Sequence, residues 1–219
     1  MDIKNLNIYH LIVIIPPLLV AGPFLPDLFL VLIVFFFLFK NNNLIVTYLK
    51  NIFLLKILLF FIIYNIAVSI FSENALFSLK SSVGYIRFFI FICAFIYIFK
   101  NYNNIKKIFF YFLFGTVLVV SLDAIFQFFY KYNFLGWPVD SKGRISGLFG
   151  TEYVLGSYLA RCTPIIISLF FYLKEKNIIN LEYKFLYLSF FISYFAILIS
   201  GERTAFLMIN MFLFLFIFF

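Results

Sequence analysis

The sequence predicts an all-α membrane protein, a polytopic helical bundle with about eight spans. Two observations predict this class: the apolar composition of the chain and the continuity of its apolar runs. Of the 219 residues, 65% are hydrophobic and 12% are charged, and the mean hydropathy is +1.10. A soluble domain of this size cannot bury so much apolar surface. Lipid must therefore surround most of the chain.

The continuous apolar runs predict helices rather than barrel strands. A bilayer offers the backbone no hydrogen bonds, so its spans are helices or closed barrels. Barrel strands alternate polar and apolar residues over about ten positions. By contrast, Phe88 to Phe99 and Ile108 to Val120 are apolar on all sides. The first apolar run lacks a small-residue cleavage site after it and predicts a retained span.

The apolar runs define eight predicted spans within one transmembrane domain, residues 1–219. The first two are short for a span of about 20 residues and are separated at Gly22-Pro23, so they predict two tight spans or a re-entrant hairpin. The last run reaches Phe219 without a polar flank, which predicts a truncated final span in a fragment of a longer protein. The predicted spans cover residues 8–22, 24–39, 53–71, 83–99, 108–129, 151–173, 185–199 and 203–219.

The basic residues predict the orientation of the chain. Its net charge of +8 comes from short clusters between apolar runs, as the positive-inside rule predicts, and does not indicate a nucleic-acid surface. The side that holds the N-terminus carries ten of the 17 basic residues and is predicted to be cytoplasmic. These ten are Lys4, Lys40, Lys50, Lys56, Lys100, Lys106, Lys107, Lys174, Lys176 and Lys184.

Arginine is confined to the opposite side of the predicted topology. The four arginines of the chain are Arg87, Arg144, Arg161 and Arg203. Lysine satisfies the topology rule equally well, whereas arginine adds a rigid, always-charged fork suited to phosphate and carboxylate. Helices that begin near Val83, Thr151 and Arg203 also present unpaired N–H groups on that side. The pattern predicts an outer pocket for a phosphate or pyrophosphate.

Glycines and carboxylates accompany two of these helix ends. Gly147 and Gly150 precede the sixth predicted span, where Thr151 is predicted as the N-cap and Glu152 as an acidic residue of the first turn. Glu202 stands beside Arg203 at the eighth. For three of the arginines, a structural role without a bound ligand remains an alternative. Arg87 could snorkel to the interface, Arg144 could be a loop cation, and Arg203 could form a surface pair with Glu202.

Arg161 is predicted to lie within the membrane. It follows Thr151 by ten residues, which places it about 15 Å deep at 1.5 Å per residue. An unpaired charge at that depth costs about 3 kcal/mol. Asp123, with Gln127 one turn further on, is the expected partner, and the pair could be functional or purely structural. Trp137 is predicted to be an interfacial anchor, with a stacking platform as the alternative. No metal-binding or nucleotide-binding motif is present in the sequence.

Three segments resemble those of O-antigen ligases and related polymerases. The stretch Gly143 to Ala160, GRISGLFGTEYVLGSYLA, resembles the family pattern R-x-x-G-x-F-G-x-x-N-x-x-G-x-Y-L-A. Ser200 to Leu207 is similar to the S/G-x-R-x-A element that opens a later span, and Ser78 to Phe88 is similar to an L-x-x-L-R-F entry. Thr151-Glu152-Tyr153 departs from the family, which has Asn-Pro-Asn there.

The resemblance implies a GT-C-like, metal-independent inverting glycosyltransferase without a cofactor, in the bacterial inner membrane with a cytoplasmic N-terminus. Its donor would be a glycan linked to undecaprenyl pyrophosphate at the outer face. Its acceptor would be lipid A–core for a ligase in lipopolysaccharide assembly, or a carrier-linked glycan for a polymerase of O-antigen or exopolysaccharide. No nucleic acid is expected as a partner. A transporter or flippase of lipid-linked sugars and an inert fragment are the remaining alternatives.

By the same resemblance, the outer arginines hold the pyrophosphate. Arg144 and Arg203 match the motifs, and Arg161 and Arg87 are supporting candidates. Asp123, Glu152, Glu202, Gly147 and Gly150 are the remaining site candidates. The family's catalytic histidine lies in a large outer loop that would follow Phe219, and His10 is on the wrong side to replace it. The catalytic base is therefore unassigned, and the chain is expected to be catalytically incomplete.

Overall fold

The computed structural model describes residues 10–141 and 143–218, in which every regular element is a helix. This confirms the all-helical class. Three predictions fall partly outside the described residues: Lys4, Phe219 and the start of the first span at residues 8–9. The helices are α1 Leu11–Ala21, α2 Phe24–Asn51, α3 Phe53–Ile70, α4 Ala75–Gly84, α5 Ile86–Asn101, α6 Asn103–Tyr130, α7 Leu155–Glu175, α8 Tyr183–Ser200 and α9 Arg203–Phe218.

Five of these helical segments are long and apolar enough to cross a bilayer. They are Phe53–Ile70, Ala75–Asn101, Asn103–Tyr130, Leu155–Glu175 and Tyr183–Ser200, of which the second joins α4 and α5. Phe24–Lys40 and Asn43–Asn51 add a sixth span if this pair, bent by 99°, counts as one. The chain is therefore a multi-pass membrane protein, and the predicted count of eight spans is not confirmed. α1 has 11 residues and is shorter than the predicted first span.

The chain divides into two compact units. The first contains the residues up to Ile15 and Phe24–Ile105, and the second contains Pro16–Pro23 and Lys106–Phe219. Within the first unit α2 packs along α5, where the buried Phe37 ring lies 5.9 Å from that of Tyr97. α3 packs along α4, and the hydroxyls of Ser69 and Ser82 hydrogen-bond to each other.

In the second unit, α7 packs against both α8 and α9 through small side chains. Ser193, Ala196 and Ser200 of α8 are buried, and Thr163 of α7 lies 3.5 Å from the Ser193 hydroxyl. In lipid the hydrophobic effect does not hold helices together, and small residues let membrane helices approach closely enough to pack. The closest approach is at Gly156. A Cβ built there would lie 2.5 Å from the Ser200 Oγ and 3.1 Å from the Cβ atoms of both Ala205 and Glu202.

We predict that Gly156→Ala destabilises the protein in detergent by about 1–3 kcal/mol, because the added methyl group separates α7 from its two neighbours. Gly115→Ala in α6 is the matched control, since a Cβ at Gly115 meets nothing within 4 Å. It should leave the midpoint unchanged or raise it slightly, because alanine favours helix over glycine. Thermal unfolding followed by circular dichroism measures both. Equal midpoints for the two variants would contradict the close packing at Gly156.

Candidate functional site

Two buried amide side chains fix the loop that follows α6. Gln127 donates from Nε2 to the Trp137 carbonyl at 3.2 Å and accepts at Oε1 from the Gly147 N–H at 2.8 Å. Asn133 donates from Nδ2 to the Gly147 carbonyl at 2.6 Å and accepts at Oδ1 from the Trp137 N–H at 2.7 Å. Both backbone groups of Gly147 are therefore paired. Its φ of +57° also suits glycine. We call this set of contacts the amide clamp.

Asp123 belongs to the same region and not to an ion pair with Arg161. Its side chain is fully buried, and Oδ1 accepts from the Phe134 N–H at 2.8 Å. Its Oδ2 has no hydrogen-bond partner among the described residues. Arg161 is exposed and has no ion pair in the described part of the chain. The predicted Arg161–Asp123 pair is therefore wrong, because a backbone N–H of the loop binds the carboxylate.

The carboxylate of Glu202 occupies the N-terminus of α7. Its Oε1 accepts from the Gly156 N–H at 2.6 Å, and its Oε2 accepts from the Ser157 N–H at 3.0 Å and the Ser157 hydroxyl at 2.5 Å. The predicted N-cap at Thr151 and first-turn position of Glu152 are wrong, because the helix begins at Leu155 after Val154. The N–H groups expected to bind an external anion at this helix end are already bonded to a carboxylate of the protein.

Arg161 and Arg203 belong to the two helices that this carboxylate joins. Arg203 directly follows Glu202 and opens α9, and both residues line a groove of about 250 Å³ with Gly201. Arg161 follows Ser157 by four residues and so lies on the same face of α7. It is six residues into the helix, about 9 Å from its start, rather than the 15 Å predicted. Both arginines are exposed and have no hydrogen bond or ion pair within the described residues.

The remaining predicted site residues lie in different surroundings. Arg144 is exposed on the loop, with its guanidinium 5.7 Å from the ring centroid of Tyr153. The loss of hydration at Tyr153, together with the nearby Asp140 carboxylate, raises the pKa of Tyr153. Glu152 is exposed before α7. Gly150, at a φ of +65°, lies against the ring of Trp137.

Arg87 belongs to the first unit and is already neutralised there. Its Nη1 lies 2.7 Å from the Asp27 Oδ2, and its guanidinium lies 5.0 Å from the Phe88 ring centroid. Asp27 stands in the first turn of α2, where a carboxylate suits the helix dipole. Sequence reasoning overlooked this pair, although Asp27 is the only acidic residue between positions 3 and 72. It also overlooked the roles of Asn133 and Gly156.

The fold and this site define a multi-pass helical membrane protein. Its second unit joins the N-termini of α7 and α9, and carries Arg203 at the start of α9 and Arg161 within α7. Neither arginine has an ion pair in the part of the chain that the structure describes. Comparison of the chain with protein-family models, curated proteins and solved structures finds no match. The resemblance of Gly143 to Ala160 and of Ser200 to Leu207 therefore rests on the motif residues alone.

We predict that Glu202→Gln lowers the stability of the protein, because a neutral amide offers one acceptor oxygen where the carboxylate accepts three hydrogen bonds. Hydrogen bonds to a charged group contribute about 1.5–3 kcal/mol each, and loss of part of this set should lower the unfolding midpoint clearly. Glu182→Gln is the control, because Glu182 forms only an exposed pair with Lys184. A midpoint of Glu202→Gln as high as that of the control would show that the cap at α7 contributes little.

Proposed function

We propose that the chain works as part of an O-antigen ligase-like glycan transferase. This enzyme would take a glycan from undecaprenyl pyrophosphate at the outer face of the bacterial inner membrane and pass it to lipid A–core. The proposal draws on the motif residues in Gly143 to Ala160 and Ser200 to Leu207. The arrangement of the arginines in the second unit supports it independently.

The observation that carries the proposal is the unpaired state of Arg161 and Arg203. Each is exposed at or within an apolar helix and has no carboxylate partner among the described residues. An uncompensated charge at the centre of a membrane span costs about 3 kcal/mol, so a charged residue within a span, such as Arg161 in α7, pairs or faces water or a ligand. The nearby Glu202 does not neutralise them by a direct bond, because its oxygens are bonded to Gly156 and Ser157. An anionic ligand satisfies both guanidinium groups.

In the proposed transfer, an acceptor hydroxyl attacks the anomeric carbon of the glycan from the face opposite the pyrophosphate. The bond from that carbon to the pyrophosphate oxygen breaks, and its electron pair stays on the leaving oxygen. Arg161 and Arg203, joined by Arg144 of the loop, would stabilise this charge as it develops. Glu202 would not serve as the base, because it accepts three hydrogen bonds as the cap of α7. The base must come from another group.

We predict that Arg161→Lys and Arg203→Lys each weaken binding of the full chain to vesicles that contain undecaprenyl pyrophosphate by about tenfold. Lysine keeps the charge but cannot form the bidentate hydrogen bonds that a guanidinium group donates to phosphate. Lys131→Gln is the control, since it removes an exposed cation beside the same loop. Flotation with labelled vesicles measures binding. If Arg161→Lys and Arg203→Lys bind as tightly as the wild-type protein, or lose no more affinity than Lys131→Gln, the arginines act only as general positive charge and the proposal fails.

The outer location of the site gives a second prediction, tested with cysteines in a Cys93→Ala, Cys162→Ala background. Ser141→Cys should react with a membrane-impermeant maleimide on intact cells, whereas Lys176→Cys should react only after permeabilisation. α7 connects the loop to Lys176, and its 21 residues span about 31 Å, enough to cross a bilayer. Protection of Ser141→Cys in intact cells would place the loop in the cytosol, where the proposed donor cannot reach Arg144.

A further inference from the structure

The loop of the second unit holds its tryptophan rigidly while leaving the ring accessible. Trp137 is the only tryptophan of the chain and is 46% exposed. Its N–H and carbonyl are both bonded within the amide clamp by Asn133 and Gln127. Gly150 covers part of the ring, since a Cβ there would lie 3.6 Å from Cε2. Rigid presentation of an exposed aromatic ring lowers the entropy lost when a ligand stacks on it.

Two chain segments run side by side next to this ring and form a mixed aromatic and polar surface. Gly150 lies against the Trp137 ring and the Asp140 carboxylate lies near Tyr153, so the segments 137–140 and 150–153 meet at both of their ends. Three residues separate the two contacts, a length of at most about 10 Å. Arg144 extends the surface, with its guanidinium beside the Tyr153 ring. We call this set, Trp137, Asp140, Arg144 and Tyr153, the aromatic surface.

We propose that the aromatic surface binds the sugar residues of a glycan. This proposal rests on the proposed function, since the glycan is the group transferred there. It concerns the contacts to the sugar residues and not those to the pyrophosphate. A pyranose ring has an apolar C–H face that stacks on an aromatic ring and hydroxyls at its rim that bond to polar groups. Trp137 supplies the stacking face. The Asp140 carboxylate can accept from hydroxyls and the Arg144 guanidinium can donate to them.

The charges of the aromatic surface favour a glycan over a lipid headgroup. A tryptophan that only anchors a protein at the interface needs neighbours that tolerate lipid phosphate. Here the Asp140 carboxylate lies near Tyr153, at the same surface. A carboxylate repels phosphate and accepts hydrogen bonds from neutral hydroxyls. Lipid anchoring therefore becomes the alternative outcome of the test.

The test applies the detergent-solubilised full chain to an array of bacterial surface glycans that carry no lipid and no phosphate. The wild-type protein should bind a subset of them saturably. Trp137→Ala should weaken that binding by about tenfold or more, and Trp137→Phe, which keeps a ring, should weaken it less. Trp137→Ala leaves the clamped backbone groups in place, so the loop keeps its anchorage. Leu135→Ala is the matched control, because Leu135 is a 68% exposed apolar residue of the same loop.

Fluorescence of the single tryptophan distinguishes the outcomes. Saturating glycan should change the emission of Trp137, and brominated phospholipid in nanodiscs should quench it weakly. Binding to no glycan of the array, or equal binding by wild type and Trp137→Ala, overturns the proposal. Strong quenching by brominated lipid that glycan does not relieve also overturns it, in favour of an anchor. If the protein binds no glycan but still binds vesicles that contain undecaprenyl pyrophosphate, the proposed function stands and only the sugar site is ruled out.

Discussion

The bond between the Glu202 carboxylate and the first turn of α7 is the contact on which the second unit depends. A helix end in a bilayer leaves N–H groups unpaired, and lipid cannot satisfy them. Glu202 pairs two of these groups and adds the Ser157 hydroxyl. Because Glu202 directly precedes α9, the same bond joins the N-termini of α7 and α9. It also brings Arg203 to the N-terminal end of α7, the helix that carries Arg161.

The glycines of the segment Gly143 to Ala160 follow from packing and backbone conformation. Gly147 has a φ of +57° and its backbone groups are bound by the amide clamp. Gly150 has a φ of +65°, where other residues are strained. Gly156 leaves no room for a side chain between α7 and its neighbours. Since the fold explains these glycines, Arg144 is the residue of this segment that remains for the proposed contact with pyrophosphate.

Sequence reasoning predicted the apolar helices well and the polar contacts poorly. The predicted spans 53–71 and 185–199 closely match Phe53–Ile70 and Tyr183–Ser200, because apolar runs with polar flanks set those boundaries. The start of α7 was missed because its cap comes from Glu202, 46 residues away from Gly156. Asp123 was assigned to Arg161 by charge alone. Its partner is the backbone N–H of Phe134, and no residue type in the sequence identifies such a donor.

In the proposed function, the internal carboxylate at α7 also determines what kind of anion the site would prefer. Glu202 adds a fixed negative charge where a phosphate would otherwise meet bare N–H groups, so binding must come from guanidinium groups around it. A ligand with one negative charge gains little binding free energy, because the charge of Glu202 offsets part of the attraction from Arg161 and Arg203. A diphosphate carries more negative charge and can accept hydrogen bonds from two guanidinium groups at once. Its gain in binding free energy is therefore larger. Such a site would discriminate a lipid-linked pyrophosphate from the monophosphate headgroups of the surrounding bilayer.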